Sequence, residues 1–85
     1  MTRVKICGIT TTEDVQVAVE AGADMIGLIF YPSSPRYVTP AQAHRIVAQL
    51  PPACAAVGVF VNESLDTVTQ IARTSGVHMV QLHGT

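Results

Sequence analysis

Apolar residues follow two different spacings that alternate along this chain. Residues 25–30 and 55–61 are almost continuously apolar, which is typical of parallel strands covered on both faces. Between such runs the apolar residues recur at helical spacing, as at Val15, Ala18 and Val19. Residues 4–7 and 78–82 form two further short runs with strand alternation. The pattern predicts four strands separated by three helices.

Residues at the ends of the helical segments support these boundaries. Thr39 followed by Pro40 is typical of a cap and first helical position, and Ser64 is a second capping candidate. Gly22 and Gly76 each follow an apolar stripe, where a helix commonly ends in a left-handed residue. The predicted helices therefore run from about residue 12 to 21, from 40 to 50 and from 65 to 75.

The predicted order is β-α-β-α-β-α-β with short connections, which indicates right-handed crossovers and a parallel sheet. A weak internal repeat is consistent with a fold built from one module. Residues 22–28 (GADMIGL) resemble residues 76–82 (GVHMVQL), two strand-helix units later. Residues 31–38 contain two prolines and are predicted to form a loop.

Alternation within the first and last strands places polar side chains on one face of the sheet. If Val4 and Ile6 face the helices, Lys5 and Cys7 face the opposite side, and Gln81 and His83 do the same on the fourth strand. Polar groups near the carboxyl ends of two strands predict a polar pocket over the sheet. A buried hydrogen-bond network would give the same pattern.

Three residues are candidates for chemistry at that end of the sheet. Cys7 ends the first strand and is followed by a glycine turn, although a lone cysteine is more often a small buried hydrophobe. His83 lies where the fourth strand gives way to a loop, where a solvated histidine is equally compatible. Arg36 lies in the proline-containing loop, and its guanidinium could bind a carboxylate or phosphate, although most arginines only cover a surface.

Other polar residues are assigned lesser roles. Asn62 follows the third strand at the same end and is a secondary candidate. Asp24 and His78 precede strands at the opposite end and are predicted to be structural. Cys54 lies at the start of the third strand and is predicted to be chemically inert.

Composition narrows the class of protein. With 48% hydrophobic residues, 13% charged residues and a formal net charge of −1, the chain is of globular type and lacks an electrostatic footprint for nucleic acid or an anionic membrane. No apolar run approaches the roughly 20 residues that span a bilayer. Two cysteines without disulfide spacing suit a reducing cytoplasm, and no metal-ligand spacing is present.

Four segments together resemble phosphoribosylanthranilate isomerase, the (β/α)8 enzyme of tryptophan biosynthesis. They are KICGIT (5–10), SPRY (34–37), GVFVN (58–62) and VQLHG (80–84), and they occur in the expected order. The resemblance covers the whole chain from its first strand, and it extends over only the first half of that enzyme, through the fourth strand. It implies an α/β fold that is the first half of a (β/α)8 TIM barrel, with residues 1–85 forming a single incomplete domain whose barrel is not closed.

The resemblance also implies a reaction and site residues. The reaction is the Amadori rearrangement of N-(5-phosphoribosyl)anthranilate to 1-(2-carboxyphenylamino)-1-deoxyribulose 5-phosphate, without a metal or organic cofactor. Cys7 matches the general base, Arg36 matches a residue that contacts the anthranilate moiety, and His83 matches a pocket position of open role. The family's general acid, an aspartate after the fifth strand, and its phosphate loops after the seventh and eighth strands have no counterpart in these residues.

The preferred interpretation is therefore an amino-terminal portion of this isomerase, cytoplasmic and inactive as an isolated 85-residue chain. A second interpretation is a non-catalytic half-barrel that works by pairing with another half, because two open sheet edges favour association. A third is another barrel enzyme acting on a sugar phosphate, which shares the fold but not the KICGIT and SPRY segments. The expected partner is a small-molecule substrate, and neither nucleic acid nor a membrane is expected to bind.

Overall fold

A computed structural model describes residues 3–84. Its seven elements alternate strand and helix, in the order β1 (Lys5–Cys7), α1 (Thr12–Glu20), β2 (Met25–Ile29), α2 (Pro40–Val47), β3 (Ala55–Val61), α3 (Leu65–Ser75) and β4 (Met79–His83). The predicted order of four strands and three helices is confirmed. No helix in the described part of the chain is long and apolar enough to cross a membrane.

The four strands form one parallel sheet in sequential order, β1-β2-β3-β4. Its register aligns Cys7 with Gly27 and Val61 with His83. Parallel strands joined by short helical crossovers bring all their carboxyl ends to one edge of the sheet. The polar residues at the ends of β1 and β4 therefore belong to the same edge.

The core lies between one face of the sheet and the three helices. Phe30 and Phe60 belong to this core and stack with their ring centroids 5.2 Å apart. The opposite face carries the alternate residues of each strand, which are polar at Lys5, Cys7, Gln81 and His83 of the outer strands and apolar along β2 and β3. The helix-facing core includes Val15, Ala18, Ile26, Leu28, Ala43, Ile46, Ala56 and Val68.

The helix ends follow the capping chemistry seen in the sequence. The Thr39 side chain accepts from the Gln42 amide at 3.1 Å, and the Gln42 side chain accepts from the Thr39 amide at 2.9 Å, which completes a capping box. Gly76 ends α3 with φ +80°, a left-handed conformation that favours glycine. Helix α2 ends at Val47, before the predicted Leu50, because the next amides bond three residues back in a tighter turn that leads to proline.

Three apolar side chains differ from their expected packing. The helical spacing of Leu65, Val68 and Ile71 predicts one buried stripe on α3. Leu65 is nevertheless 74% exposed, because it is the first residue of the helix and no described element covers it. Val80 and Leu82 take the outward positions predicted for β4, yet they are 45% and 60% exposed, respectively.

Candidate active site

Cys7 ends β1 on the face opposite the helices. Its register partner is Gly27, and a Cβ added to Gly27 would lie 2.7 Å from the Cys7 sulfur. The thiol therefore occupies the space that a side chain on β2 would fill. Ile6, the preceding residue, packs against the core on the helix side. The exposed thiol thus lies on the sheet face opposite the helices, which we call the polar face, as the strand alternation predicts.

Arg36 packs against the turn that follows Cys7. Gly8 has φ +82° and its amide donates to the Gly27 carbonyl at 3.0 Å, which closes the strand end. The Arg36 Nη1 donates to the Gly8 carbonyl at 3.3 Å. A Cβ at Gly8 would lie only 2.5 Å from the Arg36 Cδ, so glycine permits this close approach. Arg36 is also anchored at its backbone, where its amide donates to the Ser34 hydroxyl at 3.1 Å.

Cys7, Gly8 and Arg36 share a cavity of about 250 Å³ between the end of β1 and helix α1. Asp14 and Val17 of α1 form part of its opposite wall. Asp14 is an acidic residue in the first turn of α1, and its place in the lining of this cavity was missed by the sequence analysis. The strand-turn-helix spacing of residues 7–14 is the signal that could have found it.

His83 joins the site through a chain of side-chain hydrogen bonds across the polar face. The Lys5 Nζ donates to the Gln81 Oε1 at 2.6 Å. The Gln81 Nε2 lies 2.7 Å from the His83 Nε2. Residues of the two outermost strands, 76 positions apart in sequence, are thus in direct contact. Gln81 was noted as inward-facing but was not selected as a site residue.

The structure brings the predicted candidates to one edge of the sheet in two groups. Cys7 and Arg36 line the cavity together, and His83 is not part of its lining. His83 is linked to β1 through Gln81 and Lys5. The secondary candidate Asn62 has φ +50°, and its amide donates to the His83 carbonyl at 2.8 Å.

The residues predicted to be structural at the opposite edge have structural contacts. The Asp24 carboxylate accepts from the Val4 amide at 2.9 Å, and the His78 Nδ1 accepts from the Ala56 amide at 2.9 Å. Each side chain thus accepts from a backbone amide near the start of an earlier strand, β1 for Asp24 and β3 for His78. Cys54 is buried, and this burial raises the pKa of its thiol, with a smaller contribution from the Asp24 charge. A buried neutral thiol is unreactive.

Among residues 3–84 no group of three or more His, Cys, Asp or Glu side chains is arranged to hold a metal ion. The polar groups at this edge of the sheet are instead a thiol, a guanidinium, an ammonium, an amide and an imidazole. Together they offer one group that becomes a base when ionised, two cations and two further hydrogen-bonding groups. Such a set suits proton transfer on an anionic substrate.

Comparison with known proteins identifies what this arrangement resembles. Residues 4–85 match the family model described as N-(5'-phosphoribosyl)anthranilate (PRA) isomerase. The curated isomerases of Citrifermentans bemidjiense and of Geobacter sp. strain M21 are 57% and 56% identical to it over 84 residues, which is 99% of this chain. The chain spans 41% of the length of each of these relatives.

Solved structures give the same result for the fold. The phosphoribosyl anthranilate isomerase of Thermotoga maritima superimposes with a TM-score of 0.95 at 51% identity, over 99% of this chain and 41% of that one. A phosphoribosyl anthranilate isomerase in complex with reduced 1-(o-carboxyphenylamino)-1-deoxyribulose 5-phosphate also matches with a TM-score of 0.95, over 43% of its length. The predicted fold, half of a (β/α)8 barrel, is confirmed.

Proposed function

This chain belongs to the N-(5'-phosphoribosyl)anthranilate isomerase family, and on that premise we propose that it supplies the base half of the active site of such an isomerase. The reaction is the Amadori rearrangement of N-(5-phosphoribosyl)anthranilate to 1-(2-carboxyphenylamino)-1-deoxyribulose 5-phosphate, a step in tryptophan biosynthesis. The substrate is a small anionic molecule, and a cytoplasmic location is part of the proposal.

The rearrangement needs two proton transfers. An acid protonates the ribose ring oxygen, so that the bond from this oxygen to C1 breaks and a Schiff base forms with the amine nitrogen. A base then removes the proton from C2, and the resulting enolamine becomes the ketone at C2. The product is an isomer of the substrate, because each proton taken up is balanced by one released. In this proposal Cys7, as its thiolate, takes the C2 proton.

The observation that carries the proposal is the position of Arg36 against the turn that directly follows Cys7. The thiol is exposed, and the guanidinium is held nearby through its bond to the Gly8 carbonyl. A planar guanidinium binds a carboxylate through two parallel hydrogen bonds, which would fix the anthranilate ring relative to the base. His83, on the neighbouring part of the same edge, contributes to substrate binding.

The acid and the phosphate site are expected from other strands of the barrel. The family resemblance assigns the acid to an aspartate after the fifth strand and the phosphate to loops after the seventh and eighth, whereas residues 3–84 form four strands. We therefore expect no isomerase turnover from the 85-residue chain by itself. The base half alone cannot open the ribose ring efficiently, because general acid catalysis typically contributes about 10²- to 10⁴-fold.

A chimera tests the proposed activity. Residues 3–84 would replace the matching segment of a complete relative of known structure, and steady-state isomerase activity would be measured. We expect turnover in the chimera, loss of turnover without a large change in KM after Cys7→Ala, and a raised KM after Arg36→Met. Cys54→Ala is the matched control and should retain activity. A chimera whose turnover survives Cys7→Ala would refute the assignment of the base.

The exposed outer face of β4 favours a second candidate function, pairing with another half-barrel. Val80 and Leu82 leave apolar surface in contact with water beside an unpaired strand edge. We expect the 85-residue chain to self-associate in sedimentation experiments, and Leu82→Lys to weaken this association. A chain that is monomeric at all concentrations and catalytically active would exclude this function.

A further inference from the structure

We propose that Gln81, oriented by Lys5, is a positioning residue that holds His83 in the tautomer protonated at Nδ1. The inference rests on the proposed function only in assigning His83 to the substrate pocket. The hydrogen bonds themselves are independent of any assigned activity. They run from the β1 lysine to the β4 glutamine and on to the histidine ring, at 2.6 and 2.7 Å.

The orientation of the glutamine amide follows from its lysine partner. A lysine ammonium has three donors and no acceptor, so the group that it contacts at 2.6 Å must be the carbonyl oxygen of Gln81. Turning the amide over would place its NH₂ against the Lys5 ammonium, which sets donor against donor and loses a charge-assisted bond. The NH₂ group of Gln81 is therefore the part that faces His83.

The amide in turn determines where the histidine proton lies. The Gln81 NH₂ can only donate, and its nitrogen lies 2.7 Å from the His83 Nε2. That ring nitrogen must therefore accept, which requires its lone pair to be free. In a neutral imidazole the proton then lies on Nδ1. The Lys5 ammonium on β1 thus selects one of the two tautomers of His83 on β4, through the uncharged amide of Gln81.

The selected tautomer defines what His83 can offer to a substrate. With Nε2 engaged by Gln81, the Nδ1–H remains as the ring's donor, and it suits an oxygen acceptor such as a carboxylate, a phosphate or a sugar hydroxyl. An imidazolium would carry N–H groups at both positions and could not accept from Gln81. The neutral ring in this arrangement is suited to orienting substrate through its Nδ1–H, and proton transfer is left to other groups.

The chain contains an internal reference with the opposite arrangement. His78 accepts from the Ala56 amide through Nδ1 at 2.9 Å, so its proton lies on Nε2. His44 is exposed on α2 and serves as a freely exchanging comparison. All three histidines of the chain can therefore be followed in one spectrum, with two expected to be locked in opposite tautomers.

The test is a long-range ¹H–¹⁵N correlation spectrum of the ¹⁵N-labelled 85-residue chain at about pH 8, above the usual imidazole range. Protonated and unprotonated ring nitrogens resonate in separate regions, and their pattern of couplings to the ring protons identifies each tautomer. We expect His83 in the Nδ1–H form, His78 in the Nε2–H form and averaged resonances for His44. His83 in the Nε2–H form would overturn the proposal, as would averaged nitrogens for His83 beside a His78 that keeps its Nε2–H form.

Variants distinguish a positioning role of Gln81 from a role in packing alone. Gln81→Glu presents only acceptors to His83, so the His83 proton should move to Nε2. Gln81→Leu or Lys5→Met should give averaged resonances for the His83 ring nitrogens. The His78 resonances should not change in any variant, which verifies that the fold is intact. An unchanged His83 pattern in Gln81→Glu, with His78 intact, would refute the role of Gln81. These readouts do not depend on turnover, so a failed activity assay would count against the proposed function alone.

Discussion

Adding one methyl group at Gly27 tests how closely β2 supports the Cys7 thiol. A Cβ at this position would lie 2.7 Å from the Cys7 sulfur and 3.2 Å from the Cys7 Cα. Gly27 has no positive φ, so Gly27→Ala introduces crowding without backbone strain. The sulfur must leave its present position, while the backbone contact can relax only by a shift of a few tenths of an ångström.

The expected cost combines two opposing contributions. Overpacking a well-packed site typically costs about 1–3 kcal/mol, and replacing glycine by alanine recovers about 0.4–1 kcal/mol through the unfolded chain. Forcing the thiol off its rotamer accounts for about 0.5–1.5 kcal/mol of the overpacking. We therefore expect Gly27→Ala to lower the free energy of unfolding by about 1–2 kcal/mol. In a Cys7→Ala background the cost should be smaller by the rotamer contribution.

Urea unfolding of the four proteins in this double-mutant cycle provides the measurement, with equal m-values as the check on two-state behaviour. Gly58→Ala is the matched control. A Cβ there would lie 3.1 Å from the rings of Phe30 and Phe60, on the helix-facing side of the sheet. This variant should also destabilise the protein, but additively with Cys7→Ala. Equal costs of Gly27→Ala in both backgrounds would refute the inferred contact between the thiol and β2.

Three further predictions concern the thiols and the opposite edge of the sheet. A thiol-alkylating reagent should modify the exposed Cys7 in the native protein and reach Cys54 only on unfolding; equal native rates would contradict the observed burial. Because burial raises the pKa of the Cys54 thiol, the folded state binds its proton more tightly than the unfolded state does. The contribution of Cys54 to the free energy of unfolding should therefore be constant below the ordinary value of 9.0 and fall as pH rises further, and this fall should be absent in Cys54→Ala. Asp24→Ala removes the acceptor of the Val4 amide and should cost about 0.5–1.5 kcal/mol in urea unfolding, whereas no loss would show that water replaces it.

The order of elements and the faces of the strands could be predicted from local pattern alone. Helical and strand spacings of apolar residues differ, and capping residues such as Thr39 and Gly76 act within one turn of the chain. Short crossovers then leave few topologies for four parallel strands. For the same reason, alternation was sufficient to place Lys5, Cys7 and Gln81 on the polar face.

Contacts between distant residues were decided by the tertiary structure. The pairing of Lys5 with Gln81, the position of Arg36 over Gly8 and the place of Asp14 in the cavity depend on strand register and loop path, which no local pattern encodes. The exposure of Leu82 likewise depends on which elements pack nearby, although its outward direction was predicted. Periodicity determines the direction of a side chain from its own strand or helix, whereas its partner is determined only when separate elements meet.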